Sequence, residues 1–405
     1  MGLCLCQKTM KSTLRIMLCL LLGTVAGHTV GQAQYVRLNA PANRNALYFD
    51  LTRVLNYNSY EYWRFGAGLY WVSPAMLLGP QWQVHAYGAY GLRDRRAKYG
   101  IEVARSYRGN HFWRPFVGFS DDLSKNNSAV IDNAFSLLNI EDNVAIMSSQ
   151  FVRQQESRLG VSARWNLFQT MLEFRYMRQR LLFDGDHLLY PAQESVMPDW
   201  SHLAELHLQA NRRGVTADLR SGTAADAPGW WYLRSLLQYS RSHPIDSIGT
   251  LGVFLQTGAA TGASTGDLTT LHRLFECFDL GGTYNSFFCF RNSLLTLPPE
   301  CFMADRFVRG SLRYEFPVCG WDRWFSAPEP FVQATAALGR HYTVHDWSAV
   351  GEAAAGFTGL LRWNIIDMGC AVAYQLLNTS SGDISLRPDS LHKRWAFVVC
   401  AQLLI

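Results

Sequence analysis

Residues 62–71 read YWRFGAGLYW, and sorting them by parity separates two chemistries. Trp63, Phe65, Ala67, Leu69 and Trp71 form an apolar set; Tyr62, Arg64, Gly66, Gly68 and Tyr70 form a polar or empty one. Extended backbone sends alternate side chains to opposite faces, so the stretch reads as a strand with one greasy face. The pattern recurs. In WQVHAYGAYGL (82–92), Trp82, Val84, Ala86, Gly88, Tyr90 and Leu92 oppose Gln83, His85, Tyr87, Ala89 and Gly91. In RLGVSARWNL (158–167), Leu159, Val161, Ala163 and Trp165 oppose Arg158, Gly160, Ser162, Arg164 and Asn166. Leu172, Phe174 and Tyr176 face away from Glu173 and Arg175, and Val215, Ala217 and Leu219 from Thr216, Asp218 and Arg220. Trp395, Phe397, Val399, Ala401 and Leu403 keep the same period.

Many strands of about ten residues, each apolar on one side, predict an all-β, antiparallel transmembrane barrel of the outer-membrane type. The expected strands are 44–54, 60–72, 81–93, 96–106, 112–121, 157–167, 169–181, 200–211, 213–221, 230–241, 247–258, 302–316, 329–340, 348–358, 360–376 and 392–403. That is about sixteen, an even number as single-chain barrels prefer, with twelve to fourteen also compatible with the pattern. A soluble β-sandwich also alternates, but it does not need a greasy outer set on nearly every strand.

The aromatic positions suit a membrane. Trp63 and Trp71 lie eight residues apart on one face, about 26 Å along a strand at roughly 3.3 Å per residue. With the tilt of about 40° usual in barrels this projects to about 20 Å, near the apolar band of about 25 Å between aromatic girdles. Trp82 and Tyr90 repeat the spacing, and Trp165 and Trp395 complete the candidate girdle set. Rings with one polar atom favour the two membrane–water boundaries.

Composition agrees. The chain is 48% hydrophobic and 13% aromatic but only 17% charged, against about 25% charged in typical soluble domains. Outside the N-terminus no apolar run reaches the roughly 20 residues of a membrane helix. Lys8, Lys11 and Arg15 precede the apolar run 16–27 and a small-residue site at 31–33, the layout of a secretory signal peptide. The domain expectation is a signal peptide at 1–33, a short periplasmic lead-in at 34–43 and a barrel at 44–405. Loss of the leader's three basic residues lowers the formal charge from +5 to +2, so the basic balance does not point to nucleic acid. Cys277, Cys289 and Cys301 share one segment and leave room for one disulfide; Cys370, Cys400 and Cys319 read as small apolar packers. No cysteine has a histidine at metal-ligand spacing, so neither a metal nor another cofactor is expected.

YEYWRFGAGLYWVSP and GPQWQVHAYGAYGLRDRRAKYGIEV resemble the opening of the barrel region in a Bacteroidetes outer-membrane family of unknown function, whose members usually carry a carboxypeptidase-regulatory-like domain. FMADRFVRGSLRYEF (302–316) and EAAAGFTGLLRWNIIDMGCAVAY (352–374) resemble that family's later segments, and through them the surface-antigen barrels of the BamA/TamA superfamily. The chain departs from the family in lacking the regulatory-like domain and the long middle region, and in ending at Ile405 where such barrels usually end in an aromatic residue. The resemblance implies transport, or assembly and export of envelope components. Its implied partners are outer-membrane lipid, the barrel-assembly machinery and a periplasmic or envelope partner. It carries over no catalytic residue. In the superfamily an Arg-Gly-aromatic motif lies in an infolded loop; here Arg309-Gly310 runs into the strand pattern Leu312, Tyr314, Phe316 and reads as strand.

Catalysis finds little support. The one nearby trio is His345, Ser348 and Glu352, and residues 345 and 348 face opposite sides of an extended strand unless a turn intervenes. The inward set is richer: Arg64, His85, Lys98, Glu102, Arg158, Arg164, Glu173, Arg175, Glu205, Asp218, Arg220, Arg234, Arg313, Glu315, Glu352 and Asp367. A sign-selective pore wants a lopsided ring of charge. This nearly balanced set is expected to pair across strands. The sequence therefore predicts a non-enzymatic outer-membrane barrel for transport or envelope assembly and export, with a passive porin-like channel and a membrane-embedded lipid hydrolase as alternatives.

Overall fold

The computed structural model describes residues 35–39, 45–50, 53–58, 61–74, 81–107, 112–124, 152–165, 170–182, 201–224, 229, 231–245, 248–263, 277–281, 294–297, 302–317, 328–342, 345–363, 366–379 and 394–403. Residues 1–33, Cys289, Cys301 and the greater part of the long connections lie outside them.

The elements of the described residues are nineteen strands in one sheet. They are β1 (Tyr35–Arg37), β2 (Ala46–Asp50), β3 (Leu55–Asn58), β4 (Tyr62–Val72), β5 (Gln81–Gly91), β6 (Ala97–Ser106) and β7 (Phe112–Ser124). Then come β8 (Val152–Trp165), β9 (Thr170–Leu182), β10 (Ser201–Arg212), β11 (Val215–Ala224), β12 (Trp231–Ile245) and β13 (Gly249–Ala263). The last are β14 (Phe278–Asp279), β15 (Met303–Glu315), β16 (Glu329–His341), β17 (Trp347–Trp363), β18 (Ile366–Thr379) and β19 (Trp395–Leu403).

Every ladder between these strands is antiparallel and joins neighbours in sequence, except that β2 and β3 both pair with β4 and β13 passes over β14 to β15. Counting β2 and β3 as one interrupted strand, and setting aside the three-residue β1 and two-residue β14, leaves sixteen wall strands among the described residues. Each expected strand has its counterpart. The fold is an antiparallel β-barrel.

Some boundaries differ from the sequence reading. Residues 35–37 of the expected lead-in pair with β2 as β1. The expected break at 359 is absent, because β17 runs through to Trp363 and β18 starts at Ile366. Gly359 takes φ 69° where the β17–β18 register shifts between Phe357 and Leu361. A left-handed glycine there makes a bulge in a continuous strand, a role that reads in sequence like a turn. The two-residue hairpin between β10 and β11 closes on Arg213 (φ 50°) and Gly214 (φ 86°).

Alternation fixes the two faces of the wall. Burial alternates strictly along the middle of β16: Phe331, Gln333, Thr335 and Ala337 are buried while Val332, Ala334, Ala336 and Leu338 are exposed. Exposed large apolar side chains occur on strands all along the sheet, from Trp63, Phe65 and Leu69 on β4 through Val117, Phe174, Leu219, Leu255 and Leu312 to Phe397 and Val399 on β19. The buried set holds Lys98, Glu205, Asp218, Arg234, Arg309 and Glu352. Apolar outside and charged inside inverts the order of a soluble domain and is that of a membrane barrel.

Candidate functional site

The inward face divides into two sectors of different chemistry. From β2 to β12 it is a mesh of ion pairs. Arg64 pairs with Asp122 and lies 3.2 Å from Glu61. Lys98, fully buried, is held between Glu61 and Asp94. Glu102 takes Arg114 on one oxygen and Arg158, at 2.8 Å, on the other. Asp122 also accepts the Tyr87 hydroxyl at 2.8 Å, and His85 lies 3.1 Å from Asp50. Further round, Glu205 pairs with Arg175 and accepts the Tyr232 hydroxyl. Asp218 meets His207 at 2.6 Å and Arg220 at 3.3 Å. Arg164 sits within electrostatic range of Arg114 and Glu173. Buried charges persist when paired and hydrogen-bonded, and cross-strand neighbours supply those partners here.

Small residues make room for this mesh. A Cβ on Gly100 would lie 2.5 Å from the Tyr87 ring, so Tyr87 lies flat over β6 and reaches Asp122 on β7. The same sector carries a run of neighbouring rings, with Tyr48–Tyr70 centroids at 6.3 Å, Tyr70–His85 at 6.1 Å and His85–Tyr87 at 5.9 Å.

The second sector, β12 to β19, is covered from within. Between β13 and β15 two described pieces, 277–281 and 294–297, lie against the inward face: Phe278 and Asp279 pair with Ala304 and Met303, and Gly281 bridges Leu294. Phe278, Leu280, Leu294 and Leu297 are at most 4% exposed and pack with Leu236, Ala260, Phe307, Ala337 and Val350 of the wall. Leu295, at 2%, packs with Phe331, Ala354, Ala371, Ala373 and Val398. Each such side chain contributes roughly 1.5–3 kcal/mol relative to exposure, which offsets much of the cost of ordering the segment, about 1–2 kcal/mol per residue. Glu352 on β17 fixes it further. Its Oε1 accepts Leu295 N at 2.7 Å, and its Oε2 accepts Thr296 N at 2.9 Å and Thr296 Oγ1 at 2.8 Å.

Of the candidate inward residues, Arg64, Lys98, Glu205, Asp218, Arg234, Arg313 and Glu352 are buried; His85, Glu102, Arg158, Arg164, Glu173, Arg175, Arg220 and Glu315 are half-buried. Glu315 pairs with Arg313 at 2.8 Å, and the Asp367 side chain lies outside those described. Of the aromatic positions, Trp63, Trp82, Tyr90 and Trp395 are exposed, whereas Trp71 and Trp165 are half-buried. Trp165 meets Trp113 edge-on at 6.5 Å between ring centroids. Cys277 is buried; the other two cysteines of its segment are outside the described residues.

The trio does not assemble. A turn does precede β17, with His345 at φ 59° and its N–H on His341 O. It leaves the His345 side chain half-exposed and 3.8 Å from Asp305, while Ser348 is buried on the inward face and Glu352 is committed to the infolded segment.

Asp122, Glu61, Asp94, Arg114 and Arg309 were not among the inward residues expected from sequence. Arg309 shares parity with Arg313 and was legible on that ground. The infolded segment had a signal too: LFECFDLGG and SLLTL are apolar without period two, unusual for a surface connection.

Set beside known structures, the chain is similar to outer-membrane barrels. BamA from Haemophilus ducreyi, in a form lacking POTRA domains 1-3, matches with a TM-score of 0.50 at 11% identity over 94% of this chain and 76% of that one. CdiB from Escherichia coli gives 0.43 at 13% identity, covering 90% of this chain and 64% of that one. A bacterial polysaccharide outer membrane secretin gives 0.35 at 8% identity, covering 78% and 84%. No family model matches the chain, and no curated protein does. At these identities it is the fold that is shared: that of an outer-membrane β-barrel.

Proposed function

We propose that the protein is a gated outer-membrane barrel, non-enzymatic, for transport or for assembly and export of envelope components. The observation that carries this reading is the infolded β13–β15 connection, anchored on Glu352 and packed over the inward face of β12 to β19. Five apolar side chains of that connection, Phe278, Leu280, Leu294, Leu295 and Leu297, lie against the inward wall, where a wide passive pore would present polar groups to water. The balanced ion-pair mesh of the other half also argues against a sign-selective pore. A lipid hydrolase needs nucleophile and base within hydrogen-bond reach, and His345 and Ser348 face different surroundings.

In this reading the leader at 1–33 is cleaved on export, the apolar outer face contacts lipid, and the barrel-assembly machinery inserts the chain. Membership of the Bacteroidetes family and a periplasmic or envelope partner belong to the same proposal. The test is conductance of the purified protein in planar bilayers. The native protein is expected to hold a low, flickering conductance, and the Glu352→Ala/Thr296→Val variant a larger and longer-lived one. A native protein that conducts as a large, stable, open pore would favour the passive-channel alternative.

A further inference from the structure

Among the described residues, Arg309 is a buried cation with no ion pair in the mesh. It lies on the inward face of β15, 2% exposed, and its Nε and Nη1 have no hydrogen-bond partner among the described residues. The Phe254 ring lies 5.4 Å from its guanidinium carbon; a ring face attracts a cation but leaves in-plane N–H groups unmet. Nearby carboxylates have other commitments. Glu315 pairs with Arg313, and Glu352 holds Leu295 and Thr296. Asp279 acts on Arg309 through space, with its Oδ1 accepting Gly281 N.

Register sets Gln256 of β13 and Ala337 of β16 directly beside Arg309. Two residues along the same face is Ser311, 4% exposed. Gln333 Nε2 donates to Thr335 Oγ1 at 2.9 Å, which donates to Ser311 Oγ at 3.3 Å. That relay ends on Ser311, whose own O–H is its last donor. Two N–H groups, one O–H and a buried positive charge are the complement of an oxyanion. Asp279 compensates the charge through space, and the unmet N–H groups are what a bound oxyanion would satisfy.

We propose that Arg309 and Ser311 form a buried subsite for an oxyanion, a carboxylate or phosphate group carried on a polar solute inside the barrel. The proposal rests on the gated reading for access, since the solute reaches the site when the infolded segment moves. The phenyl cluster of Phe278 and Phe307, with ring centroids 5.0 Å apart, lies on one side, and the buried Ser311–Thr335–Gln333 relay on the other.

The test uses the full chain, purified and folded in detergent. Its unfolding temperature is read from loss of the heat-sensitive gel mobility while inorganic phosphate or galacturonate is titrated at fixed ionic strength. Sodium chloride and galactose are the controls. A saturable rise is expected with phosphate or galacturonate and with neither control. The larger response of the two assigns a phosphorylated or a sugar-acid solute. Arg309→Gln should abolish the rise, and Ser311→Ala should weaken the titration midpoint about tenfold, the loss of one hydrogen bond to a charged group. No anion-specific rise in the native protein, or a rise that survives Arg309→Gln, overturns the proposal. If Arg309→Gln fails to fold, Ser311→Ala decides, because an unchanged midpoint is equally fatal. The outcome is separable from the conductance test: a freely conducting protein with a phosphate-specific rise keeps the subsite and loses the gate.

Discussion

Glu352 and Thr296 are joined twice, through the Thr296 N–H at 2.9 Å and its hydroxyl at 2.8 Å, both on Oε2. One belongs to the wall and the other to the segment packed against it, so in the gated reading this carboxylate holds the segment in place. Glu352→Ala orphans the buried N–H of Leu295 and the half-buried N–H of Thr296. Each unmet buried donor costs about 1–3 kcal/mol. Glu352→Ala is therefore expected to lower stability by about 2–4 kcal/mol and to expose residues 294–297 to protease in folded, detergent-solubilised protein. Unchanged proteolysis would mean that apolar packing alone holds the segment.

The fully buried Lys98 supports a second prediction. It sits between Glu61 and Asp94, themselves 0% and 3% exposed. Lys98→Met leaves two carboxylates facing each other in the interior, and breaking a buried pair from one side costs about 3–5 kcal/mol. Glu61→Leu in the same chain should return part of that loss, because the remaining acid then keeps no buried like-charged neighbour. Equal stabilities of the single and double variants, measured by urea unfolding in detergent, would show that the cluster is hydrated.

How much of this was legible in the sequence depends on how local the cause is. FVQATAALG on β16 alternates without exception in burial, and its outward set of Val332, Ala334, Ala336 and Leu338 is apolar throughout, so one strand's parity suffices to read the outer face. The same holds for Trp63, Phe65 and Leu69 facing out around the buried Arg64. Gly359 was misread because a bulge and a turn demand the same left-handed backbone. The Arg64–Asp122 pair was not legible, because it joins β4 to β7 across two intervening strands and needs their register. The infolding of Leu294, Leu295 and Leu297 depends on which wall positions carry small residues, such as Ala337, Ala354, Ala371 and Ala373, and no single stretch contains that information.

The outward wall supports a third prediction. Ala67 is exposed between Phe65 and Leu69 on the apolar face of β4. Arginine near the bilayer midplane costs about 2–4 kcal/mol, so Ala67→Arg should destabilise the reconstituted barrel by that amount while Ala67→Leu leaves it unchanged. Gly66 is not a usable comparator, because a Cβ there meets backbone oxygens of Gly88 and Arg53 at 2.6 and 2.7 Å. Gly88 is: its Cβ would have open space, so Gly88→Leu should be tolerated and Gly88→Arg should not. Matching losses from leucine and arginine at Ala67 would place that face against protein.

The last prediction concerns which end of the barrel faces the cell surface. With both ends of the wall on the periplasmic side, odd-numbered connections point outward and even-numbered ones inward, and surface loops are the longer set. The long connections after β7, β9, β13 and β18 are all odd in the sixteen-strand count, though tags near Asn127, Ala192, Thr265 and Ser381 would fall outside the described residues. Two described turns share that end: Arg95, at φ 53° between β5 and β6, and His345, at φ 59° between β16 and β17. The Arg212–Arg213–Gly214 hairpin marks the other end. Short epitope tags inserted after Arg95 or His345 should be reached by antibody on intact cells, and one after Arg213 only after permeabilisation. Antibody access at Arg213 with protection at His345 would invert the barrel, and would place the infolded segment at the periplasmic mouth instead of the outer one.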